Sequence, residues 1–194
     1  MTSGIQLLTI NQLNYKPTIM KNRIYFITLL LVSILFFSCS SDDDLNHQND
    51  FEKSQKAWLD FKESSNNSYK YVVYGGSVFT SYGWETTLTV SNGKIIQRDF
   101  KYTGKTENIP SDKLEWTEKE NEINTHEGSG AASPLTLDEI YEKAKTQWLV
   151  KRKNANAYFE SENNGMISKC GYVENGCMDD CFAGIAIKNI VALK

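Results

Sequence analysis

The segment WETTLTVSNGKIIQRDFKY, residues 84–102, has the pattern of two β-strands joined by a tight turn. β-Branched and aromatic residues are frequent on both sides of Ser91-Asn92-Gly93. Because Asn-Gly tolerates the positive φ angles of a type I′ turn, this dipeptide is a strong signal for a two-residue hairpin loop. Such a loop pairs Val90 with Ile95. The sequence therefore predicts an antiparallel hairpin as the starting point of a β-sheet.

Further strands are expected on both sides of this hairpin. Four segments are rich in β-branched, aromatic or small apolar residues: 68–74, 157–162, 166–173 and 181–193. A shorter strand is expected near 114–117, and the last three long strands are separated by Asn163-Asn164-Gly165 and Glu174-Asn175-Gly176. In the last strand the odd positions are predicted to form a buried face: Cys181, Ala183, Ile185, Ile187, Val191 and Leu193.

Two helices are expected to accompany the strands. Three aromatic residues share one face of a helix from about Asp50 to Ser64. A second helix begins at Thr136, which has the spacing of a capping box with Glu139. The predicted fold class is therefore α+β. We expect a single domain over residues 51–194, with two helices packed on a mainly antiparallel sheet of about five to six strands.

Residues 20–39, MKNRIYFITLLLVSILFFSC, have the order of a secretory signal: cations, an apolar run, then small residues. The apolar run covers about fourteen residues, fewer than the roughly twenty of a membrane-spanning helix. The small residue before Cys39 resembles a bacterial lipobox, from which Phe36-Phe37 departs. We expect residues 1–19 to be an upstream extension, 20–38 a lipoprotein signal peptide, and Cys39 the site of lipid attachment. The alternative is an uncleaved membrane anchor.

An acidic segment directly follows Cys39. Ser41, Asp42, Asp43 and Asp44 resemble the signal that sends lipoproteins of the Bacteroidetes to the cell surface. The same residues suit a solvated tether, which we expect at 39–50, and the two roles are compatible. The expected location is the bacterial outer membrane, with the protein lipid-anchored on the periplasmic or cell-surface side.

Three cysteines, Cys170, Cys177 and Cys181, lie close together near the C-terminus. Exported proteins normally pair such thiols. If Asn175-Gly176 is a two-residue hairpin loop, Cys170 faces Cys181 with Cα atoms roughly 4.5 Å apart, so this disulfide is predicted. Cys177 is then free or pairs between molecules. Cys170–Cys177 is the second choice, and Cys177–Cys181 requires the segment 178–180 to coil.

The length, charge and cysteine spacing of the chain after cleavage limit its expected partners. Cleavage before Cys39 leaves 156 residues, enough for one domain with an apolar core. The removed part holds three cations and no acid, so the formal charge moves from −3 to −6. Nucleic acid is therefore not an expected partner, and membrane contact is expected through the N-terminal lipid. The cysteine spacing is not that of a zinc site, and no CxxC motif is present, so no metal or cofactor is expected.

Several short motifs occur in an order that is similar to one protein family. They are a helix with Trp58, Ser68-Tyr69-Lys70-Tyr71, Val90-Ser91-Asn92-Gly93-Lys94, Thr136-Leu137-Asp138-Glu139-Ile140-Tyr141, Asn164-Gly165 and Asp179-Asp180. This order resembles the bacterial lipoprotein family known as domain of unknown function 6174, over about residues 51–194. The cysteine cluster departs from the form of the wider family. The resemblance implies a small secreted or lipid-anchored α+β domain and carries over no catalytic residue.

The expected function is that of a binding module for a protein or a small ligand at the cell envelope. Aromatic residues, which are favoured at interfaces, are frequent between residues 69 and 84, although many residues of a strand region belong to the core. An enzyme that uses the His126 loop is a less favoured alternative, because no nucleophile or orienting acid lies at a recognisable spacing. A structural envelope protein is the third possibility, and no catalytic residue is assigned.

Replacing Cys39 with serine tests the lipoprotein interpretation. The Cys39→Ser protein has no thiol to acylate, so we expect it to move from the membrane fraction to the soluble fraction after cell fractionation. Cys177→Ser is the matched control and should stay with the membrane. A Cys39→Ser protein that keeps its signal sequence and remains membrane-bound would show that the interpretation is wrong.

Overall fold

Seven strands form one antiparallel sheet in the computed structural model, which describes residues 45–126 and 128–193. In chain order the strands are β1 (Tyr69–Gly76), β2 (Tyr82–Ser91), β3 (Lys94–Gly104), β4 (Glu115–Lys119), β5 (Ala155–Glu160), β6 (Lys169–Glu174) and β7 (Ala183–Ala192). Across the sheet their order is β4-β3-β2-β1-β7-β6-β5. The predictions for residues 1–44, including the signal peptide, Cys39 and the acidic segment 41–44, lie outside the described residues.

Two α-helices accompany the sheet, so the predicted α+β class is confirmed. They are α1 (Gln48–Ser64) and α2 (Leu137–Lys143), and a π-helical turn, Ala144–Trp148, continues α2. Short 3-10 turns cover Ser111–Lys113 and Glu120–Glu122. The sheet has seven strands rather than five to six, because β4 pairs with β3 and extends the edge.

The hairpin of β2 and β3 forms as predicted. Val90 pairs with Ile95, and the turn residues Asn92 and Gly93 have φ angles of 50° and 79°. Both positive angles are those of a type I′ turn, which glycine adopts without strain. The Gly93 N–H donates to the Asn67 carbonyl at 2.8 Å, so the turn is also bound to the connection between α1 and β1.

The N-terminal boundary of the fold lies earlier than the predicted start at residue 51. Leu45 forms a β-bridge with Val150, and the Asn46 N–H donates to the Leu149 carbonyl at 2.7 Å. The helix α1 then begins at Gln48. Residues 45–50, which were predicted to belong to the tether, are therefore part of the folded domain.

The helices cover one face of the sheet and form the core with it. Two β1 tyrosines bind the start of α2: the Leu137 N–H donates to the Tyr69 hydroxyl at 2.8 Å, and the Tyr71 hydroxyl donates to the Leu135 carbonyl. Burial raises the pKa of both phenols, so they stay protonated at neutral pH. The largest fully buried apolar side chains of this core are Phe51, Trp58, Tyr69, Tyr71, Leu88, Leu137, Ile140, Leu149, Met166, Ile167 and Ile187.

The start of α2 is capped as predicted. The Thr136 hydroxyl accepts the Glu139 N–H at 3.3 Å, and the Glu139 carboxylate accepts the Thr136 N–H at 2.7 Å. Each side chain thus satisfies a backbone donor that has no partner within the helix. The capping box fixes the residue at which α2 begins.

A β-bulge changes the buried face of β7. Its register against β1 shifts between Val72 and Val73, which leaves Lys188 as the extra residue. Ile187, before the bulge, is buried as predicted. After the bulge the alternation is reversed, so Ile190 is buried whereas Val191 is 51% exposed. The predicted burial of Val191 is therefore wrong.

The predicted disulfide is also wrong, because the connection before β7 is longer than a two-residue loop. With β6 ending at Glu174 and β7 beginning at Ala183, Cys170 pairs with Ile185 instead of Cys181. The segment between them coils, and the disulfide joins Cys177 to Cys181, whose Cα atoms are 6.2 Å apart. Cys177 is therefore not the free thiol. Cys170 is free and buried in the core.

Replacing Tyr141 with phenylalanine tests the polar links within the core. Its hydroxyl donates to the Ser54 carbonyl at 3.0 Å, contacts the Ser54 hydroxyl at 2.8 Å and accepts the Ile167 N–H at 3.2 Å. Without it these buried groups lose a partner, so we expect the free energy of unfolding to fall by about 1–3 kcal/mol in urea titrations. Tyr158→Phe, at an exposed tyrosine, is the control. Equal unfolding midpoints for both variants would contradict this prediction.

Candidate functional site

The part of the core-side sheet face that lies on β3 and β4 carries aromatic rings. Phe100 pairs with Thr86 on one side and with Trp116 on the other, so these side chains point to the same face. Over this face runs a segment that we call the cover segment, residues 120–126 and 128–135. The Ala132 N–H within it donates to the Thr86 hydroxyl at 3.0 Å, which fixes the segment to β2.

An open cleft of about 440 Å³ lies between these strands and the cover segment. The Trp116 ring stacks on Phe100 with centroids 5.3 Å apart, and on His126 with centroids 4.3 Å apart. The Tyr102 ring packs edge-on against Phe100 at 4.9 Å. The cleft is lined by Phe100, Tyr102, Asp112, Lys113, Trp116, His126, Gly128 and Ser129. It therefore combines ring surfaces with a few polar groups.

One buried carboxylate holds the His126 end of the cover segment. Glu118 is completely buried and accepts the backbone N–H groups of Asn124 at 2.8 Å and His126 at 2.7 Å. It also accepts the Thr125 hydroxyl at 3.4 Å, and it contacts Nδ1 of His126 and the guanidinium of Arg98, each at 3.2 Å. This wall of the cleft is thus fixed to β4 by charge-assisted hydrogen bonds, which are stronger than neutral ones.

The environment of Glu118 keeps its carboxylate ionised. Burial by itself would raise the pKa of this group. The hydrogen bonds from the backbone N–H groups of His126 and Asn124, together with the charge of Arg98, outweigh burial and lower the pKa of Glu118 below its ordinary value. The carboxylate therefore remains charged at neutral pH.

Arg98 joins this charged pair to the aromatic surface. Its side chain is almost fully buried, and the guanidinium carbon lies 5.1 Å from the centroid of the Trp116 ring. Its Nε atom is buried without a hydrogen-bond partner among the described residues. The ion pair with Glu118 and the ring of Trp116 are thus its main stabilising contacts.

His126 has one feature of a general base. Nδ1 is oriented by the Glu118 carboxylate, and the side chain is 45% exposed beside the cleft. Among the described residues, no hydroxyl or thiol forms a hydrogen bond with Nε2. The arrangement therefore orients an imidazole beside the cleft.

The opposite face of the same strands has a second hollow, of about 500 Å³, which is more polar. There Asp99 accepts the Thr117 hydroxyl at 2.7 Å and the Gln97 amide at 2.8 Å. Nearby, Lys188 and Lys101 lower the pKa of Glu85 through ion pairs of 2.6 and 3.2 Å. Since these polar groups already bind one another, the aromatic cleft is the better candidate site.

The aromatic residues expected to form a recognition face between 69 and 84 are divided by the structure. Tyr69 and Tyr71 are in the core, and Trp84 is half-buried against it. Tyr74 and Phe79 are 48% and 71% exposed. Tyr82 packs edge-on against Tyr102 of the cleft, with ring centroids 5.4 Å apart. The aromatic residues between 69 and 84 therefore do not form one binding surface.

The sequence prediction included His126 but missed the residues that position it. Arg98 lies two residues before Phe100, and Glu118 lies two residues after Trp116. Residues two apart on a strand point to the same face, so both charged side chains point inward with the aromatic rings. A charged side chain on the inward face of a strand needs a buried partner. The shared face is the signal that could have identified each of the two residues as a buried charge.

Neither a metal site nor a membrane-spanning helix is found among residues 45–126 and 128–193. No group of three or more His, Cys, Asp or Glu side chains there is arranged to hold a metal ion. No helix in that part of the chain is both long enough and apolar enough to cross a bilayer.

Comparisons with protein-family models, with curated proteins and with solved structures found no match to this chain.

Replacing Glu118 with glutamine tests the anchoring of the cover segment. Glutamine leaves Arg98 as a buried charge without a counter-ion, so we expect the free energy of unfolding to fall by about 3 kcal/mol at neutral pH. Because the folded-state pKa of Glu118 is lowered, its stabilising effect is complete above its unfolded pKa and is lost as the pH falls through the folded value. The variant should therefore lose less stability on acidification than the wild type.

Urea titrations at neutral and acidic pH measure both effects. Glu115→Gln, on the exposed side of the same strand, is the matched control and should behave like the wild type. An equal loss of stability with falling pH in the wild type and in Glu118→Gln would contradict the assigned role of Glu118.

Proposed function

We propose that this protein is a lipid-anchored binding module of a bacterial outer membrane, facing the periplasm or the cell surface. The signal-like residues 20–38, the cysteine at 39 and the acidic segment 41–44 support the anchor and its location. The resemblance to the lipoprotein family called domain of unknown function 6174 supports the same placement. The ligand is proposed to bind in the aromatic cleft.

The observation that carries the binding role is the pre-formed aromatic wall of the cleft. The rings of Phe100, Trp116 and His126 are stacked, and Glu118 fixes the loop that supplies His126. A wall that is ordered before binding loses little conformational entropy when a ligand enters. Ring surfaces with a few polar groups at the rim suit a small molecule that has a flat apolar face and a polar substituent.

The second candidate function is catalysis through His126. The hydrogen bond of 3.2 Å between Glu118 and Nδ1 favours it, because a general base needs an oriented imidazole. Binding is preferred because the described residues bring no nucleophile to Nε2. A purely structural envelope protein would have no need of an open cleft with exposed ring surfaces.

Binding can be tested with three probes that share one ring: benzoate, benzyl alcohol and benzylamine. We expect at least one to give saturation-transfer NMR signals with the wild-type protein. Tyr102→Ser removes an aromatic wall of the cleft, so the affinity should fall about fivefold, equivalent to about 1 kcal/mol. The probe that binds best also reports the charge preferred at the rim.

Tyr158→Ser is the matched control, because Tyr158 lies on the edge strand β5 at the other side of the sheet. Its affinity for the probes should equal that of the wild type. The proposal fails if none of the probes binds the wild type, or if only Tyr158→Ser weakens binding.

A further inference from the structure

Apolar side chains are exposed on two loops at one end of the sheet. Val78 and Phe79 in the β1–β2 loop are 77% and 71% exposed, and Met178 in the β6–β7 loop is 90% exposed. We call these three residues the apolar tip. Exposure of large apolar side chains to water is unfavourable, so these residues indicate a contact outside the domain.

The two loops of the apolar tip are held together. The Ser77 hydroxyl donates to the Asp180 carboxylate at 2.6 Å and accepts the Phe79 N–H at 3.2 Å. The Cys177–Cys181 disulfide closes the loop that carries Met178. The tip is thus formed by two connected loops rather than by isolated side chains.

The chain enters the described fold at the same end of the sheet. The helix α1 runs from this end to the opposite one, where the Asn67 carbonyl accepts the N–H of Gly93 in the β2–β3 turn. Its N-terminal neighbour Leu45 bridges to Val150, just before β5 starts at Ala155. Since β1 ends and β5 and β7 begin at this end, Leu45 and the apolar tip lie at one end of the domain.

Because Leu45 and the apolar tip lie at the same end, we propose that the tip inserts into the interfacial layer of the bilayer to which Cys39 is anchored. The inference rests on the proposed lipid anchor. Six peptide units separate Cys39 from Leu45 and span at most about 20 Å, so the anchor keeps this end of the domain close to the lipid surface. A distant protein partner has no comparable constraint in its favour.

The charged residues at this end of the domain have opposing effects on binding to lipid, so the apolar side chains must supply the favourable contact. Lys151 and Lys153 are exposed next to Val150, whereas Asp179 and Asp180 are exposed in the disulfide loop. Lysines attract lipid phosphates and aspartates are repelled by them, so the two effects oppose each other. Insertion of Val78, Phe79 and Met178 to a depth of roughly 5–10 Å would supply the favourable free energy.

A fluorescent label can test where the tip lies. The full-length chain with Phe79→Cys is expressed, purified in its processed form and labelled with nitrobenzoxadiazole. It is then reconstituted into vesicles of phosphatidylethanolamine and phosphatidylglycerol containing a spin-labelled quencher lipid. Cys170 is buried, and Cys177 and Cys181 are bonded, so the new thiol is the reactive one of these four. Val191→Cys, at an exposed apolar residue of the opposite end, is the matched control.

We expect the label at residue 79 to shift to the blue and to be quenched at least about twofold more strongly than the label at residue 191. Weak quenching at both positions, equal quenching at both, or a blue shift at residue 79 without quenching by lipid would overturn the inference. The last result would indicate contact with protein.

Mass spectrometry of the N-terminal peptide from the same sample separates the two proposals. An acylated Cys39 with an unquenched label at residue 79 means that the anchor is present and the tip does not insert. An unmodified Cys39 overturns the anchor, and with it the inference.

Discussion

Three buried tyrosine hydroxyls connect the helices to the sheet and to each other, and the arrangement of the domain depends on them. Tyr69 and Tyr71 bind the backbone on either side of Thr136, and Tyr141 links α2 to α1 and to Ile167. In an apolar core each hydroxyl must keep its partner, because an unpaired polar group there costs free energy. The apolar contacts allow helices to cover the sheet, whereas the hydroxyls specify where α2 begins. The position of α2 then determines where the cover segment must end.

The cover segment is consequently attached at both ends and between them. Its last residues meet the tyrosines of β1, Ala132 bonds to Thr86, and its first part is bound by Glu118. A loop of this length would otherwise sample many conformations. These contacts order the described part of the wall that the cover segment supplies to the cleft, although this wall is irregular. The ion pair of Glu118 with Arg98 supplies this order where the helices do not cover the sheet.

Features that depend on neighbouring residues could be predicted from the sequence, and features that depend on distant pairing could not. The Asn92-Gly93 turn and the Thr136 capping box are local, because each is set by a few consecutive residues. The bulge at Lys188 is visible only once β7 is aligned with β1, and the disulfide depends on the length of the connection before β7. Within the site, His126 was recognised from its loop, whereas the Arg98–Glu118 pair joins two strands whose register the sequence did not reveal.

The burial of Cys170 has a consequence for oxidation of the chain. Burial raises the pKa of its thiol to about 12, so almost no thiolate is present at neutral pH. Thiol–disulfide exchange requires a thiolate that can reach a sulfur atom, and Cys170 meets neither condition once the core has closed. Its sulfur therefore cannot form a disulfide with Cys177 or Cys181 in place of the bond between those two. The order of events during maturation then matters: a core that closes before oxidation leaves a single possible intramolecular bond among these three cysteines, whereas early oxidation permits three.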